Sequence, residues 1–467
     1  MNFDLQQQLE ASLGKGSWSR KVARILQASL QGVIPDQLIS KSLARQGDRL
    51  IFPEEVSVDL TRIGNLFIAA VGKAAVPMSL ACARILEDQP LRGIVISKHD
   101  PQEASELRHF GLDVYSGGHP LPDQNSLLVG RKLINLLEKA GANDLVLVLL
   151  SGGGSSLLSY PVPDLELEDL IHVQELLLHS GADITAVNTV RKHLSRIKGG
   201  QLAKAAFPAR VITLALSDVI GDRLDSIASG PTVGDPTTFG DALEVLDRFQ
   251  LKSRIPQSAL NYLEAGNEGR APETPKPGDF RFAQNRAYLI GSNHTALIAA
   301  RKQAEREGFR TEILPAFLQG EAREAGLKCG VLLRKMALEN QPLPRPACLI
   351  AGGETTVTIP DPDRSGLGGR NLEVALGAVQ AANGLPAAAL ITLATDGEDG
   401  PSDAAGALVT GDSLRRGADA GLDPADYLRE HNSYPFFQRL GDLLITGSTQ
   451  TNVNDLTFLF TFQEGSR

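Results

Sequence analysis

The sequence predicts an α/β fold built from two domains. Three observations lead there. The chain has 467 residues, more than one ordinary hydrophobic core serves. Its apolar runs are short and continuous instead of alternating. Each run ends in a cluster of Gly, Ser, Thr or Asp, usually with a helix-like stretch behind it. Continuous runs suit strands buried on both faces, as in a parallel sheet covered by helices.

Residues 1–45 carry an amphipathic stretch at 24–30 and read as helices packed on one of the domains. The first-half runs are 66–71 before Gly72-Lys73-Ala74, 93–96, 144–150 before Ser151-Gly152-Gly153-Gly154-Ser155, and 211–216 before Ser217-Asp218. The second-half runs are 287–290 before Gly291-Ser292-Asn293, 347–351 before Gly352-Gly353-Glu354, 389–394 before Thr395-Asp396-Gly397, and 443–445 before Thr446-Gly447-Ser448. Residues 264–280 are polar and rich in Pro and Gly, the mark of a surface loop or linker. The division is placed there, giving domains 1–265 and 266–467. In open sheets of this kind ligands bind beyond the carboxyl ends of the strands, so function is expected in the Gly-rich and acidic clusters.

Composition narrows the function. With 42% hydrophobic and 22% charged residues the chain is an ordinary globular protein. A formal charge of −9 and the lack of a Lys/Arg cluster leave no footprint for nucleic acid or an anionic membrane. Cys82, Cys329 and Cys348 form no C-x-x-C pair, which argues against a disulfide framework or zinc site and for a reducing compartment. Residues 1–30 lack a signal pattern and no apolar run reaches the length of a membrane span, so a cytoplasmic protein is expected. A homodimer is compatible with the sequence, which does not fix the oligomeric state.

Ser151-Gly152-Gly153-Gly154-Ser155 follows the strongest strand. Glycines there let the backbone approach an anion at a helix N-terminus, although a tight turn asks for glycine on steric grounds too. No Walker A ending occurs, and the Rossmann fingerprint would need glycine where Leu157 stands. Lys73 sits at the end of a buried strand, where a cation is costly unless it meets a negative charge. Arg370, after Gly366-Leu367-Gly368-Gly369, offers a planar fork for carboxylate or phosphate. Arg191-Lys192-His193, with Lys198 seven positions after Arg191, could form an anion-binding wall on one helical face, or simply a solvated one. The carboxylates of Asp218, Glu354 and Asp396 lie at strand ends and are of the type Mg²⁺ accepts; Asp-Gly turns are the plainer account.

At these clusters the chain resembles the glycerate 2-kinase family, whose C-terminal portion is known as the MOFRL domain. The matching blocks include Val71-Gly72-Lys73-Ala74, Gly118-His119-Pro120, the Ser151 loop, 188–200, Leu216-Ser217-Asp218-Val219, 228–232, 352–357, Gly368-Gly369-Arg370-Asn371, 395–406 and Thr451-Asn452-Val453-Asn454-Asp455. The resemblance implies an N-terminal Rossmann-like doubly wound parallel sheet, a smaller C-terminal α/β domain and an active site in the cleft between them. It implies transfer of the γ-phosphoryl group of ATP to glycerate, giving 2-phosphoglycerate, with a divalent metal such as Mg²⁺. Lys73 and Arg370 fall on the family's catalytic positions. Ser151, Gly152, Gly153, Gly154, Ser155, Arg191, Lys198, Glu354, Asn371 and Asn452 are the binding candidates, and Asp218 and Asp396 the metal candidates. Leu372 stands where the family commonly has Gln, and Gln450 where Gly is common. The rival readings are an NAD(P)H-dependent hydroxypyruvate reductase, which needs a complete Gly-x-Gly-x-x-Gly, and a non-catalytic sugar-acid-binding protein.

Overall fold

A computed structural model describes residues 2–14, 16–98, 103–359 and 366–463. The chain forms two compact units, Pro35–Ile290 and Met1–Ile34 with Gly291–Arg467. The division expected at 265/266 therefore falls elsewhere, for a local reason. Thr274 Oγ1 donates to Asp235 Oδ2 at 3.0 Å, Asp235 N to Pro275 O at 2.7 Å, and Val211 N to Asn285 Oδ1 at 2.9 Å. The Pro- and Gly-rich stretch is thus tied to the first unit, and Arg286–Gly291 joins that unit's sheet as a strand.

The N-terminal helices divide as well. Asn2–Ser12 and Ser19–Gln31 belong with the C-terminal unit, where Arg24 Nε meets Glu307 Oε1 at 2.7 Å and Thr451 Oγ1 donates to Val33 O at 2.8 Å. Pro35–Ser42 begins the other unit.

The sheet of Pro35–Ile290 runs in the order Leu112–Ser116, Leu91–Ser97, Leu66–Val71, Leu145–Leu150, Arg210–Leu216, Arg286–Gly291. The first five strands pair in parallel. In chain order this is 3-2-1-4-5-6, the doubly wound Rossmann arrangement, whose switch point lies between the first and fourth strands. Those strands, LFIAAV and LVLVLL, are buried at every position. One face packs Phe67, Val71, Val146 and Val148 against Val129, Leu133 and Leu137 of the helix Gln124–Leu137. That helix is started by a capping box between Asp123 and Ser126.

The second sheet is mixed, in the order Arg310–Leu318, Ala347–Gly353, Asp455–Thr461, Ala388–Ala394, Gly406–Thr410, Leu443–Leu444. The last strand of the chain is inserted at its centre, antiparallel to both neighbours, with Asp455 opposite Gly353 and Ala394. This register brings the start of that strand level with the carboxyl ends of the strands beside it. Among the described residues no helix is long and apolar enough to cross a membrane. The three cysteines are free and buried.

Helix Arg370–Ala382 is held against helix Ala322–Glu339 by close backbone approach. A β-carbon on Gly326 would stand 2.1 Å from Val374 O, and one on Gly377 2.4 Å from Arg323 O. Helix propensity alone would reward Gly326→Ala with about 1 kcal/mol. The contact reverses that sign, and the variant should lose about 1–3 kcal/mol of stability because backbone must move to admit the methyl group. Urea midpoints read the difference; a variant more stable than wild type would refute this packing.

Candidate active site

In Pro35–Ile290 the turns after the first and fourth strands lie side by side at the switch point. Gly72, with φ of 127°, turns the chain directly under Ser151; a β-carbon there would sit 2.2 Å from Ser151 Oγ. Lys73 N then donates to Gly152 O at 2.8 Å and Ala74 N to Ser151 Oγ at 2.9 Å. Gly153 is left-handed, with φ of 80°, and opens the single turn Gly154–Leu157. Lys73 is thereby presented beside the Ser151 loop, as are the candidates Gly152, Gly153, Gly154 and Ser155. Asp218, just after strand Arg210–Leu216, fronts the same loop: a β-carbon on Gly152 would lie 2.2 Å from its Oδ2. His119 lies against Gly153. It belonged to a recognised block, but a histidine beside a proline gave no signal of what it faces.

The basic wall expected from Arg191 to Lys198 does not form on one helical face, because the helix Ile184–His193 ends before Lys198. Lys192 is buried and pairs with Asp235 at 3.2 Å and Asp225 at 3.5 Å. His193 is buried between Thr189 O, at 2.8 Å from Nδ1, and Glu273, at 3.0 Å from Nε2. Both fasten the unit internally. Lys198 is 2% exposed and donates to the carbonyls of Ser155 at 2.7 Å and Leu158 at 3.2 Å, so it ties down the turn behind the Gly-rich loop. Burial, aided by the Arg191 charge, pushes its ammonium down to about 7. Arg191, lowered to about 10 by burial, donates to Gln174 Oε1 at 3.2 Å.

In the other unit Arg370 is the first residue of its helix, and the residues around it come from three chain segments. Its guanidinium is bound by Glu354, which follows strand Ala347–Gly353, and by Asp455, with Nε 2.5 Å from Oδ2. Asn371 Nδ2 bridges Asp455 Oδ1 at 2.8 Å and Asp399 Oδ1 at 3.3 Å. Asp399 also accepts from Asn371 N at 3.0 Å and Leu372 N at 2.8 Å, closing the helix N-terminus. Sequence reasoning passed over Asp399 and Asp455 as ligands of this cluster, since only the central antiparallel strand brings Asp455 to Arg370. Burial lowers the Arg370 charge's stability, but Asp455 and Glu354 outweigh it and hold the guanidinium above its ordinary pKa. Burial also raises Asp399 to about 6 and, against the pull of Arg370, Asp455 to about 7.

Asn293 fixes the segment leading into Asp455, its Nδ2 donating to Val453 O at 2.8 Å and Asp455 O at 3.1 Å. Asn452 Oδ1 accepts from Asn454 N at 3.2 Å. Asp396 Oδ1 accepts from Glu398 N at 3.3 Å, and its carbonyl holds Thr449 N. Lys73 and Asp218 belong to one unit, Arg370, Glu354, Asn371, Asn452 and Asp396 to the other. No group of three or more His, Cys, Asp or Glu among the described residues could by itself hold a metal ion. Leu372 is wholly buried in the core of its unit, so its side chain packs instead of replacing a polar contact. Gln450 has φ of 60°, a left-handed conformation that explains why glycine suits this position.

Residues 21–264 match the family described as a domain of unknown function, DUF4147, and residues 347–455 match the MOFRL family. The chain is 41% identical over 393 residues to a glycerate 2-kinase of Pyrococcus horikoshii, covering 84% of this chain and 86% of that protein. It is equally similar, with the same coverage, to a protein of Agrobacterium vitis provisionally named a hydroxypyruvate reductase. The crystal structure of a glycerate kinase from Thermotoga maritima superposes with a TM-score of 0.80 at 36% identity, covering 95% of this chain and 99% of that one.

The Asp399 carboxyl gives a pH test of the second cluster. With a folded pKa of about 6 against roughly 3.9 when unfolded, the folded state holds the extra proton between those values. Its contribution to stability is fullest below pH ~4 and is lost as pH rises to ~6, at no more than about 1.4 kcal/mol per pH unit. Asp399→Asn keeps an acceptor for the helix amides, so its urea midpoint should fall less steeply than that of wild type over this range. Parallel slopes would remove Asp399 as the titrating group.

Proposed function

The chain belongs to the glycerate 2-kinase family and is a phosphotransferase acting on glycerate, and from that premise we propose that ATP is its donor and that Lys73 and Arg370 are its catalytic cations. The observation that carries this reading is the paired turn at the switch point, where Lys73 emerges from a backbone joined to the Ser151-Gly152-Gly153-Gly154 loop. Three closely placed glycines admit phosphate oxygens to backbone N–H groups, and the lysine neutralises their charge. Phosphoryl transfer asks chiefly for positioning and for neutralisation of charge spread over the transferring oxygens. Arg370, kept protonated by Glu354 and Asp455, is suited to the second part.

Ser155 stands with the loop as a phosphate-binding candidate. Glu354, Asn371 and Asn452 support the Arg370 side. Lys198 serves binding through the loop it secures, and Arg191, whose charge acts on Lys198, remains a binding candidate. A divalent cation accompanying the triphosphate would neutralise phosphate charge when bound. Its protein ligand would be either Asp218, whose carboxylate fronts the Gly-rich loop, or Asp396. Such an ion needs only one or two carboxylates, with waters and phosphates completing its shell. The enzyme is proposed to work in the cytoplasm, on a small-molecule substrate, with a homodimer as its working assembly.

The hydroxypyruvate reductase reading draws on the Rossmann strand order. The first turn opposes it, since a dinucleotide fingerprint starting at Gly72 would need glycine where Ala74 and Pro77 stand. Incubation with glycerate and ATP should give 2-phosphoglycerate by phosphorus NMR, while hydroxypyruvate should not oxidise NADH; the opposite pair of results would overturn the kinase reading. Lys73→Ala and Arg370→Ala should each fold and lose about 10³-fold or more in turnover. Near-normal kcat in either would dismiss that residue.

A further inference from the structure

A phosphoryl acceptor must lose its hydroxyl proton, and a neutral imidazole can take it. The chain supplies one at the switch point. Strand Leu112–Ser116 ends in Gly117-Gly118-His119. A β-carbon on Gly117 would lie 2.7 Å from Leu157 O, and one on Gly118 2.5 Å from Leu121 O. Gly118 N is held by Ser126 Oγ at 3.0 Å, and Gly117 N by Ser97 O at 3.1 Å. Only a chain without side chains passes this gap, and it delivers His119 onto the Gly-rich loop. The imidazole rests on Gly153: a β-carbon there would be 3.0 Å from His119 Cδ2, 3.2 Å from Nε2 and 3.7 Å from Lys73 Cγ. The ring and the Lys73 stem therefore flank the same glycine. Among the described residues no hydrogen bond engages the ring nitrogens, in contrast to His193, which is held at both.

We propose that His119 is the general base that accepts the proton of the acceptor hydroxyl, a step that rests on the kinase reading above. In that step the hydroxyl oxygen forms a bond to the γ-phosphorus of the nucleoside triphosphate. The bond from that phosphorus to the bridging oxygen breaks, releasing the nucleoside diphosphate, and the hydroxyl proton passes to His119 Nε2 and then to water. The charged groups acting on the ring are Lys73, after the first strand, and Lys98, after the second. Asp218 fronts the adjacent Gly152. Burial first, then the two lysines, holds the imidazole below its ordinary pKa, which leaves it unprotonated at neutral pH.

The test is the pH dependence of kcat/KM for glycerate in wild type, His119→Asn and His119→Gln, with folding checked by circular dichroism. A base must be deprotonated, so wild-type activity should fall below pH ~6.5, beyond any limb from the triphosphate itself, which all three enzymes share. Both variants should lose about 10²-fold or more in kcat, with KM for ATP changed only a few-fold, and should lack the histidine limb. A variant that keeps near-wild-type kcat, or loses rate while keeping that limb, overturns the assignment to His119. The kinase reading would survive either result, because it fails only if wild type makes no phosphoglycerate.

Discussion

Two hydrogen bonds, Lys73 N to Gly152 O and Ala74 N to Ser151 Oγ, are the constraint on which the proposed chemistry depends. They join the turns that follow two adjacent parallel strands, at the switch point where the strand order of the doubly wound sheet reverses. Each turn needs a residue of its own without a side chain. A methyl group on Gly72 would strike Ser151, and one on Gly152 would strike Asp218. The result is a backbone floor whose donors are oriented before any ligand arrives, and preorganised dipoles of this kind cost no reorganisation when charge develops on them. Lys198, buried below, completes the arrangement by drawing the carbonyls of Ser155 and Leu158 inward.

The second unit reaches order by a different route. Its sheet is not uniformly parallel, and inserting Asp455–Thr461 against the run of its neighbours makes the start of one strand meet the ends of two others. Glu354, Asp399 and Asp455 thereby surround a single guanidinium, and Asn371 spans two of them. Asp399, Asp455 and Asn371 of this set are buried, while Arg370 and Glu354 stay partly exposed. The interlocked glycines of the helices Ala322–Glu339 and Arg370–Ala382 set where that guanidinium stands.

Much of this was legible because burial on both faces writes itself into continuous apolar runs. All eight runs are strands, and the helix beginning at Arg370 and ending at Ala382 follows the glycines as expected. Four strands of the two six-stranded sheets went unread. Arg310–Leu318 is an edge strand with mixed exposure, so its pattern is irregular. Asp455–Thr461 is apolar throughout its middle, but it follows a block read for its chemistry. Leu112–Ser116 and Gly406–Thr410 are short. Strand direction has no signature in composition, which is why the mixed sheet and the place of Asp455 could not be anticipated. The same holds for Lys192 and His193: a basic run looks solvated until the acids that bury it, Asp235 and Glu273, are brought from far along the chain.

The distribution of charge differs between the two units. The chain is acidic as a whole, at −9, yet its switch point gathers Lys73, Lys98, Lys198 and Arg191 around one Gly-rich loop with Asp218 as the fronting acid. The Arg370 cluster has the opposite balance, three carboxylates to one guanidinium, and burial raises the pKa of two of them. An isolated anion is favoured by the first environment, a cation or a hydrogen-bonding hydroxyl by the second.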